Sequence, residues 1–161
     1  MNASNPAPSR DSKITLREIT ADTVRAICKL AVTEHQNQFV ASNPVSIAQA
    51  YFEKKAWFRA ICADETPVGF VMLYDDAEKP EYFLWRFMID ARYQGMGFGR
   101  QAIGLLVDHV RTRPNATLLM TSVIQKPGGP QEFYEKQGFV LTGEYEEGEA
   151  LLRYDLQGST A

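Results

Sequence analysis

Cysteine is scarce in this sequence, which excludes a disulfide framework. The 161 residues include only two cysteines, Cys28 and Cys62. Each lies inside an apolar stretch, with no CxxC or Cys/His spacing around it that would indicate a metal or redox site. We therefore expect both thiols to be core residues, because free cysteine is among the most buried residue types. No metal site is expected.

Long apolar runs and excess positive charge are also lacking. No run approaches the roughly 20 residues of a membrane span, and the N-terminus lacks the basic-then-apolar order of a signal peptide. The formal net charge of -3 provides no basic field for a phosphate backbone. We therefore expect a cytoplasmic protein that binds neither membrane nor nucleic acid.

The length and composition fit one globular domain. With 45% hydrophobic and 23% charged residues, the chain falls within the ordinary range of folded proteins. The first twelve residues, Met1 to Ser12, are rich in Asn, Ser, Ala and Pro and have no periodicity, which predicts a disordered tail over residues 1–12. A single domain is expected over residues 13–157.

The hydrophobic pattern predicts helices and strands in the order β-α-α-β-β-β-α-β-α-β-β. Strands are expected over 14–19, 58–63, 68–74, 82–89, 117–124, 139–142 and 150–156. Helices are expected from Asp22 to Ala31, from Pro44 or Ser46, from Arg100 to Arg111, and from Gln131 to Gln137, ending at Gly138. The polar segment from Glu34 to Asn43 is expected to form one wall of a pocket. A mixed sheet flanked by helices follows.

The most informative segment is a glycine-rich turn between a predicted strand and the long helix, Gln94-Gly95-Met96-Gly97-Phe98-Gly99-Arg100. Alternating glycines let the backbone approach a ligand closely, and the free amides and dipole at a helix N-terminus favour an anion. The segment lacks the GK[ST] of a P-loop and the GxGxxG spacing of a dinucleotide fold. It predicts a diphosphate cradle, the alternative being glycines that only permit a tight turn.

Two motifs in this order resemble the GNAT family of N-acetyltransferases. Gln94-x-x-Gly97-x-Gly99 matches the family's Q/R-x-x-G-x-G/A pyrophosphate signature, and the segment from Phe133 to Phe139 resembles its FYEKxGF segment. The resemblance covers the chain from Ile14 to Leu156. It implies an α/β fold with a mixed, mostly antiparallel sheet whose fourth and fifth strands splay apart. Within the family, the chain looks most like the bacterial spermine/spermidine and diamine acetyltransferases.

The resemblance implies acetyl-coenzyme A as co-substrate, with the pantetheine arm entering the gap between the splayed strands. The residues expected to bind it are Phe87, Met88, Ile89, Gln94, Gly95, Met96, Gly97, Phe98, Gly99 and Arg100. A backbone N–H near Phe87 or Met88 is expected to face the thioester carbonyl as an oxyanion site. Many family members carry an Asn contact to the cofactor where this sequence has Pro127, so the loop from Pro127 to Pro130 is expected to be remodelled.

Tyr134 is the expected general acid, because the family's equivalent tyrosine lies beside the departing thiolate. The alternative is that its ring only packs against the cofactor. A base is needed to deprotonate an amine with a pKa of about 10.4. Glu81, on the same strand face as Phe83, is the candidate acting through water, against the alternative of a solvated strand-end charge.

Several further residues have weaker signals. His35 lies in the predicted pocket loop and His109 is expected to be solvated on the long helix. The acidic run of Glu144, Glu146, Glu147 and Glu149 would attract a polyamine, or would simply be solvated. Trp57, Trp85 and Tyr82 are expected in the core, the alternative being one that stacks on an acceptor ammonium.

The sequence therefore predicts an acetyl-CoA-dependent N-acetyltransferase that acts on the primary amine of a small molecule, such as a polyamine or diamine, by direct attack in a ternary complex. The alternatives are an acceptor that is an antibiotic amine or a protein N-terminus, and a non-catalytic module that binds acyl-CoA. The resemblance also allows for a homodimer.

Overall fold

Seven strands form one twisted sheet in the computed structural model, which describes residues 6–157. The strand order is β1-β2-β3-β4-β5-β7-β6, and every neighbouring pair is antiparallel except the parallel pair β4 and β5. The strands are β1 Ile14–Arg17, β2 Ala56–Ala63, β3 Thr66–Asp76, β4 Glu81–Ile89, β5 Leu118–Val123, β6 Val140–Glu146 and β7 Glu149–Asp155. The mixed, mostly antiparallel sheet expected from the sequence is confirmed.

Four helices cover the two faces of this sheet. They are α1 Val24–Lys29, α2 Asn43–Phe52, α3 Phe98–Arg111 and α4 Gln131–Gln137, and short 3-10 turns lie at His35–Gln38 and Ala91–Tyr93. Helices α3 and α4 pack on one face, where a row of apolar side chains on α3 is buried. Helices α1 and α2 pack on the opposite face around Ile27 and Phe70. Within residues 6–157, no helix has the length and apolar character that crossing a bilayer requires.

The predicted order of elements is confirmed, and the bounds of several elements differ for local reasons. Helix α1 ends at Lys29 rather than Ala31, because Leu30 is extended and the Ala31 N–H bonds the Asp90 carboxylate at 2.9 Å. Strand β6 continues beyond Thr142 because it forms a hairpin with β7. Within the expected tail, Ser9 and Ser12 form a hydrogen-bonded turn, and residues 1–5 lie outside the described part of the chain.

A β-bulge at Trp85 changes which side chains of β4 face which side of the sheet. Met72 pairs with Arg86 and Leu73 pairs with Leu84, so Trp85 is the extra residue of β4. Before the bulge, Leu84 faces the α3 side, whereas after it Phe87 does so. Trp85 packs on the α1 and α2 side. The bulge therefore redirects the second half of β4.

The sequence pattern predicted a solvated His109, but the structure shows a half-buried side chain. Its ring stacks on Trp57 with the ring centroids 4.2 Å apart, and its Nε2 atom is buried without a hydrogen-bond partner in the described part of the chain. The Arg59 guanidinium lies over the same tryptophan, 4.5 Å from its centroid. Trp57 is thus half-buried between charged and titratable neighbours. The expected core position of Tyr82 is confirmed, and its hydroxyl donates to the Pro114 carbonyl at 2.6 Å.

We predict that His109 makes the protein less stable in mild acid. Burial lowers the pKa of His109, Asp75 raises it in part, and Arg113 and Arg59 lower it further. The unfolded imidazole, with a pKa of about 6.5, then binds a proton more readily than the folded one. Stability is therefore full above about pH 6.5 and declines as the pH falls below that value.

Urea unfolding at pH 7 and pH 5 measures this effect. His109→Gln should reduce the loss of stability between the two pH values. His35→Gln removes the other histidine from an exposed position and is the control for losing a histidine as such. An unchanged pH dependence in His109→Gln would contradict the prediction.

Candidate active site

The parallel strands β4 and β5 pair over only a short length. Phe83 pairs with Met120 and Leu84 pairs with Thr121, and the Thr121 hydroxyl donates to the Leu84 carbonyl at 3.0 Å. Within residues 6–157, no β5 residue pairs with β4 beyond Leu84. The backbone from Trp85 to Ile89 is consequently free of a strand partner on that side. This agrees with the separation of the fourth and fifth strands that we expected.

A large cavity lies at this opening. Its volume is about 1330 Å³, above the roughly 300 to 1,000 Å³ of a typical site for one small ligand. The wall is formed by β4 from Phe83 to Ile89, the glycine turn, the segment from Gln36 to Ala41, the loop at Gly128 to Pro130 and helix α4. The expected pocket wall between Glu34 and Asn43 is therefore confirmed. The cavity has room for two substrates side by side.

The glycine turn gives α3 an open N-terminus. Gly95 and Gly97 have positive φ angles of 80° and 82°, a conformation that side chains rarely adopt. Nothing lies within 4 Å of a Cβ placed on either residue, so the space beside them is open. Gly97 immediately precedes the 14 residues of α3, whose first amides and dipole favour an anion. The geometry fits a diphosphate.

Gly99 also has a packing role that the sequence did not indicate. A Cβ on Gly99 would lie 3.1 Å from the ring of Phe133, on α4, rather than in the open space of the cavity. That ring stacks on Phe87 of β4, with centroids 5.8 Å apart. Gly99 therefore allows α3, α4 and β4 to pack closely. The open space beside the turn lies at Gly95 and Gly97.

Two side chains hold the turn in place. Asp90 accepts hydrogen bonds from the N–H of Ala31 and of Arg92, both at 2.9 Å. Burial opposes its charge, but these bonds and the Arg92 guanidinium lower the pKa of Asp90. Gln94 donates to the Ile89 carbonyl at 2.9 Å and exchanges hydrogen bonds with Gln36. The turn is thus joined both to the end of β4 and to the opposite wall of the cavity.

Most of the expected cofactor residues come together here. Those in the cavity wall are Phe87, Met88, Ile89, Gln94, Gly95, Gly97, Phe98, Gly99 and Arg100. Met96 is not in the wall, because its half-buried side chain packs against the core. Phe98 is 1% exposed. Its side chain therefore anchors the first turn of α3 in the core.

Tyr134 lies in the cavity wall and is 6% exposed. Its ring contacts Phe133 and Phe139, each with centroids 5.4 Å away. Burial raises the pKa of the Tyr134 hydroxyl well above its usual range, and an interaction with Thr121 lowers it in part. The hydroxyl therefore keeps its proton at neutral pH and is a hydrogen-bond donor.

The carboxylates divide into two groups. Glu81 is exposed at the start of β4 and is not in the cavity wall, whereas Glu146, Glu147 and Glu149 are. Glu149, the first residue of β7, is half-buried. The sequence identified the acidic run but did not indicate which of its members face the cavity. That depends on the turn between β6 and β7, where Glu147 has a positive φ of 49°.

The loop from Pro127 to Pro130 contacts the opposite wall. His35 is exposed, and its Nε2 atom lies 3.0 Å from the Pro127 carbonyl oxygen. A Cβ on Gly128 would approach the same imidazole ring at 2.5 Å, and the φ of 80° at Gly128 also favours glycine. The loop after β5 therefore closes against the segment after α1. Arg86 is a further wall residue that the sequence analysis missed.

The chain belongs to the acetyltransferase (GNAT) family, whose model matches residues 24–139. Acetyl-CoA is the co-substrate of this family, and the chain is therefore an N-acetyltransferase of the GNAT class.

A relative from Bacillus subtilis strain 168, a spermine/spermidine N(1)-acetyltransferase, is 27% identical in a 141-residue alignment that covers 81% of this chain and 90% of that protein.

Two solved structures have the same fold. The aminoglycoside acetyltransferase AAC(6')-Ib, in complex with coenzyme A, aligns with a TM-score of 0.73 and 16% identity over 90% of this chain and 96% of its own. An acetyltransferase from Salmonella typhimurium that modifies the N-terminal serine of ribosomal protein L7/L12 aligns with a TM-score of 0.72 and 14% identity, over 91% of this chain and 96% of its own. At these identities, the likeness concerns the fold alone.

We predict that Gly97→Val weakens acetyl-CoA binding at least tenfold. A β-branched residue at a φ of 82° is strained, and relief of that strain would turn the first amides of α3 away from the phosphates. Calorimetry measures the affinity.

Gly143→Val is the matched control, because Gly143 has a φ of 86° and equally open surroundings but lies on β6 outside the cavity wall. Its affinity for acetyl-CoA should equal that of the unaltered protein. An unchanged affinity in a folded Gly97→Val protein would remove the basis for the cradle.

Proposed function

We propose that this protein transfers the acetyl group of acetyl-CoA directly to the primary amine of a small molecule, in a ternary complex. The observation that carries the proposal is one cavity of about 1330 Å³ whose wall includes the open N-terminus of α3, the unpaired side of β4 and the Tyr134 side chain. These parts supply an anion site, a row of backbone hydrogen-bond donors and a proton donor. Their common cavity supports transfer between two bound substrates.

We assign the cofactor to one half of the cavity because the residues there fit a phosphate group. Gly95 and Gly97 leave the approach to the α3 amides open, and Arg100 adds a positive charge in the same wall. The backbone of Phe87 to Ile89 would pair with the pantetheine arm, because β5 no longer pairs with it. When bound, acetyl-CoA supplies an activated thioester. An N–H of Phe87 or Met88 would stabilise negative charge on its carbonyl oxygen.

Direct transfer is favoured over an acyl-enzyme. Within the described residues, neither Cys28 nor Cys62 is in the cavity wall, and Cys62 is buried. Burial raises the pKa of the Cys62 thiol, which makes its nucleophilic thiolate scarcer. Holding the amine beside the thioester instead converts the encounter into a near-unimolecular step.

The acceptor class is argued from the cavity and from the relatives. A polyamine or diamine is the candidate that the Bacillus subtilis relative suggests. Three carboxylates in the wall, Glu146, Glu147 and Glu149, would favour a cationic amine. An antibiotic amine and a protein N-terminus are alternatives of the same chemistry. The homodimer and the cytoplasmic location stay predictions from the sequence.

Release of free coenzyme A thiol tests the proposal. The protein is mixed with acetyl-CoA and, one at a time, spermidine, 1,5-diaminopentane, an aminoglycoside and a short peptide with a free N-terminus. Thiol release that depends on an amine supports acetyl transfer. If the protein binds acetyl-CoA in calorimetry but none of the amines causes thiol release, it is the non-catalytic module.

We predict that Tyr134→Phe keeps the affinity for acetyl-CoA and lowers the maximal rate by roughly 100-fold, as loss of a general acid commonly does. Phenylalanine retains the ring that packs on Phe133 and Phe139 and lacks only the hydroxyl group. Steady-state kinetics with the best amine, together with calorimetry, separate binding from chemistry. A rate within about threefold of the unaltered protein would end the general-acid assignment.

A second prediction concerns the base. Glu149 lies in the cavity wall, whereas Glu81 would act only through water from outside it. If Glu149 accepts the ammonium proton, Glu149→Gln should lower kcat/KM by about 100-fold at pH 7. The defect should shrink towards pH 10, where the amine, with a pKa of about 10.4, loses its proton unaided.

The exposed Glu144, which is in the same acidic run but not in the cavity wall, provides the control substitution Glu144→Gln. A defect in Glu149→Gln that lies in KM and leaves kcat unchanged would indicate charge attraction instead of base catalysis. A pH-dependent defect in Glu81→Gln, and not in Glu149→Gln, would assign the base to Glu81.

A further inference from the structure

Arg86 is a half-buried cation in the wall of the active-site cavity. The bulge at Trp85 turns its side chain towards α2, where Nη2 donates to the Gln49 side-chain oxygen at 2.9 Å. Nη1 donates to the Trp85 carbonyl at 3.1 Å, and the guanidinium lies over the Trp85 ring, 5.4 Å from its centroid. The Nε atom is buried and has no hydrogen-bond partner among residues 6–157.

This arginine differs from three others on the sheet and its loops. Arg17, Arg92 and Arg113 each contact a carboxylate, at 2.8, 2.9 and 2.9 Å. No carboxylate in the described part of the chain lies within 4.0 Å of the Arg86 guanidinium. A buried charge without a counter-ion is costly, and a buried donor without an acceptor adds to that cost. The arrangement is typical of a site that an anionic group completes.

The charges in the cavity also favour an anionic group beside Arg86. Burial lowers the pKa of Arg86, while Glu149 in the same wall raises it through space. The two side chains are not in contact, so the cavity has separate positive and negative positions. A ligand with both charges would satisfy both, with its amine near Glu149 and its anion on Arg86. A carboxylate accepts two parallel hydrogen bonds from a guanidinium, and Nη1 and Nη2 each keep a second N–H beyond the bonds to Trp85 and Gln49.

We propose that Arg86 binds an anionic group of the acceptor, so that the preferred acceptors are amines that also carry a carboxylate, as amino acids do. This rests on the proposed acetyl transfer and refines its substrate class. An acceptor that is only cationic would leave Arg86 unpaired and would bring another positive charge into the same cavity. The presence of Arg86 therefore selects against simple diamines.

Matched acceptor pairs test the proposal, because lysine and 1,5-diaminopentane differ only in the carboxylate, as do ornithine and 1,4-diaminobutane. With thiol release as the readout, we expect kcat/KM to be at least tenfold higher for the carboxylated member of each pair. Arg86→Gln should lower this ratio at least tenfold, mainly through a higher KM for the amino acid. Binding of each compound to the complex with coenzyme A, measured by calorimetry, should follow the same order.

Arg59→Gln is the control, since Arg59 is half-buried like Arg86 but lies outside the cavity wall and has the Glu18 carboxylate 3.7 Å away. It also lies over a tryptophan, Trp57, and donates to a neighbouring carbonyl, that of Phe58 at 2.8 Å. The acceptor ratio should be unchanged in this variant.

The outcomes separate the two proposals. Amines that are acetylated without preference for the carboxylate, or a ratio that Arg86→Gln does not alter, overturn the role of Arg86 and leave acetyl transfer standing. Failure of every carboxylated amine to bind also overturns it.

Binding of amino acids that depends on Arg86, with no acetyl transfer to any amine, supports the anion site and refutes the proposed function. A loss of coenzyme A affinity in Arg86→Gln, with an unchanged ratio, assigns the arginine to the cofactor and overturns the proposal.

Discussion

The limited pairing between β4 and β5 is the constraint on which the rest of the site depends. The two strands are joined only at Phe83 and Leu84, and the Thr121 hydroxyl closes this short ladder with a bond to the Leu84 carbonyl. A strand that loses its partner in the middle of a sheet exposes backbone donors and acceptors that must be satisfied. The bulge at Trp85 comes immediately after this point. The change in side-chain direction and the opening of the cavity therefore occur together.

Hydrogen bonds across the cavity mouth then fix the parts that the opening separates. Asp90 holds the end of β4 to Ala31, two residues after α1, and Gln94 joins the glycine turn to Gln36. On the other side, His35 contacts the carbonyl of Pro127. These contacts link segments that are far apart in sequence, so the cavity wall is a tertiary structure rather than a local motif. Its shape depends on the loop after α1 as much as on the glycine turn.

The sequence was sufficient to predict the sheet, the order of its elements and the glycine turn, because these depend on local periodicity and on glycine. It was not sufficient for His109. The position of His109 on the helix predicted a solvated side chain, but Trp57 from β2 covers it. It also missed Arg86, because a strand pattern does not indicate a bulge that turns a charge towards the cavity. Gly99 matched the family motif, yet its closest neighbour is Phe133, far along the chain. Long-range packing decides such cases.

Burial of Tyr134 affects the chemistry in two opposing ways. It keeps the hydroxyl protonated at neutral pH, which a proton donor requires. Tyrosine, with an ordinary pKa of about 10, is already a weaker acid than a thiol, whose ordinary pKa is about 8.5, and burial widens this difference. Full proton transfer to a thiolate would then be uphill. A hydrogen bond from Tyr134 nevertheless strengthens as negative charge develops on sulfur, and more so in a cavity that excludes water. In the proposed reaction, the amine gains positive charge and becomes acidic as it attacks, so its proton could replace the one that Tyr134 would give up. The tyrosine would therefore stabilise the leaving group best when amine deprotonation and thiolate departure are coupled, which the single cavity permits.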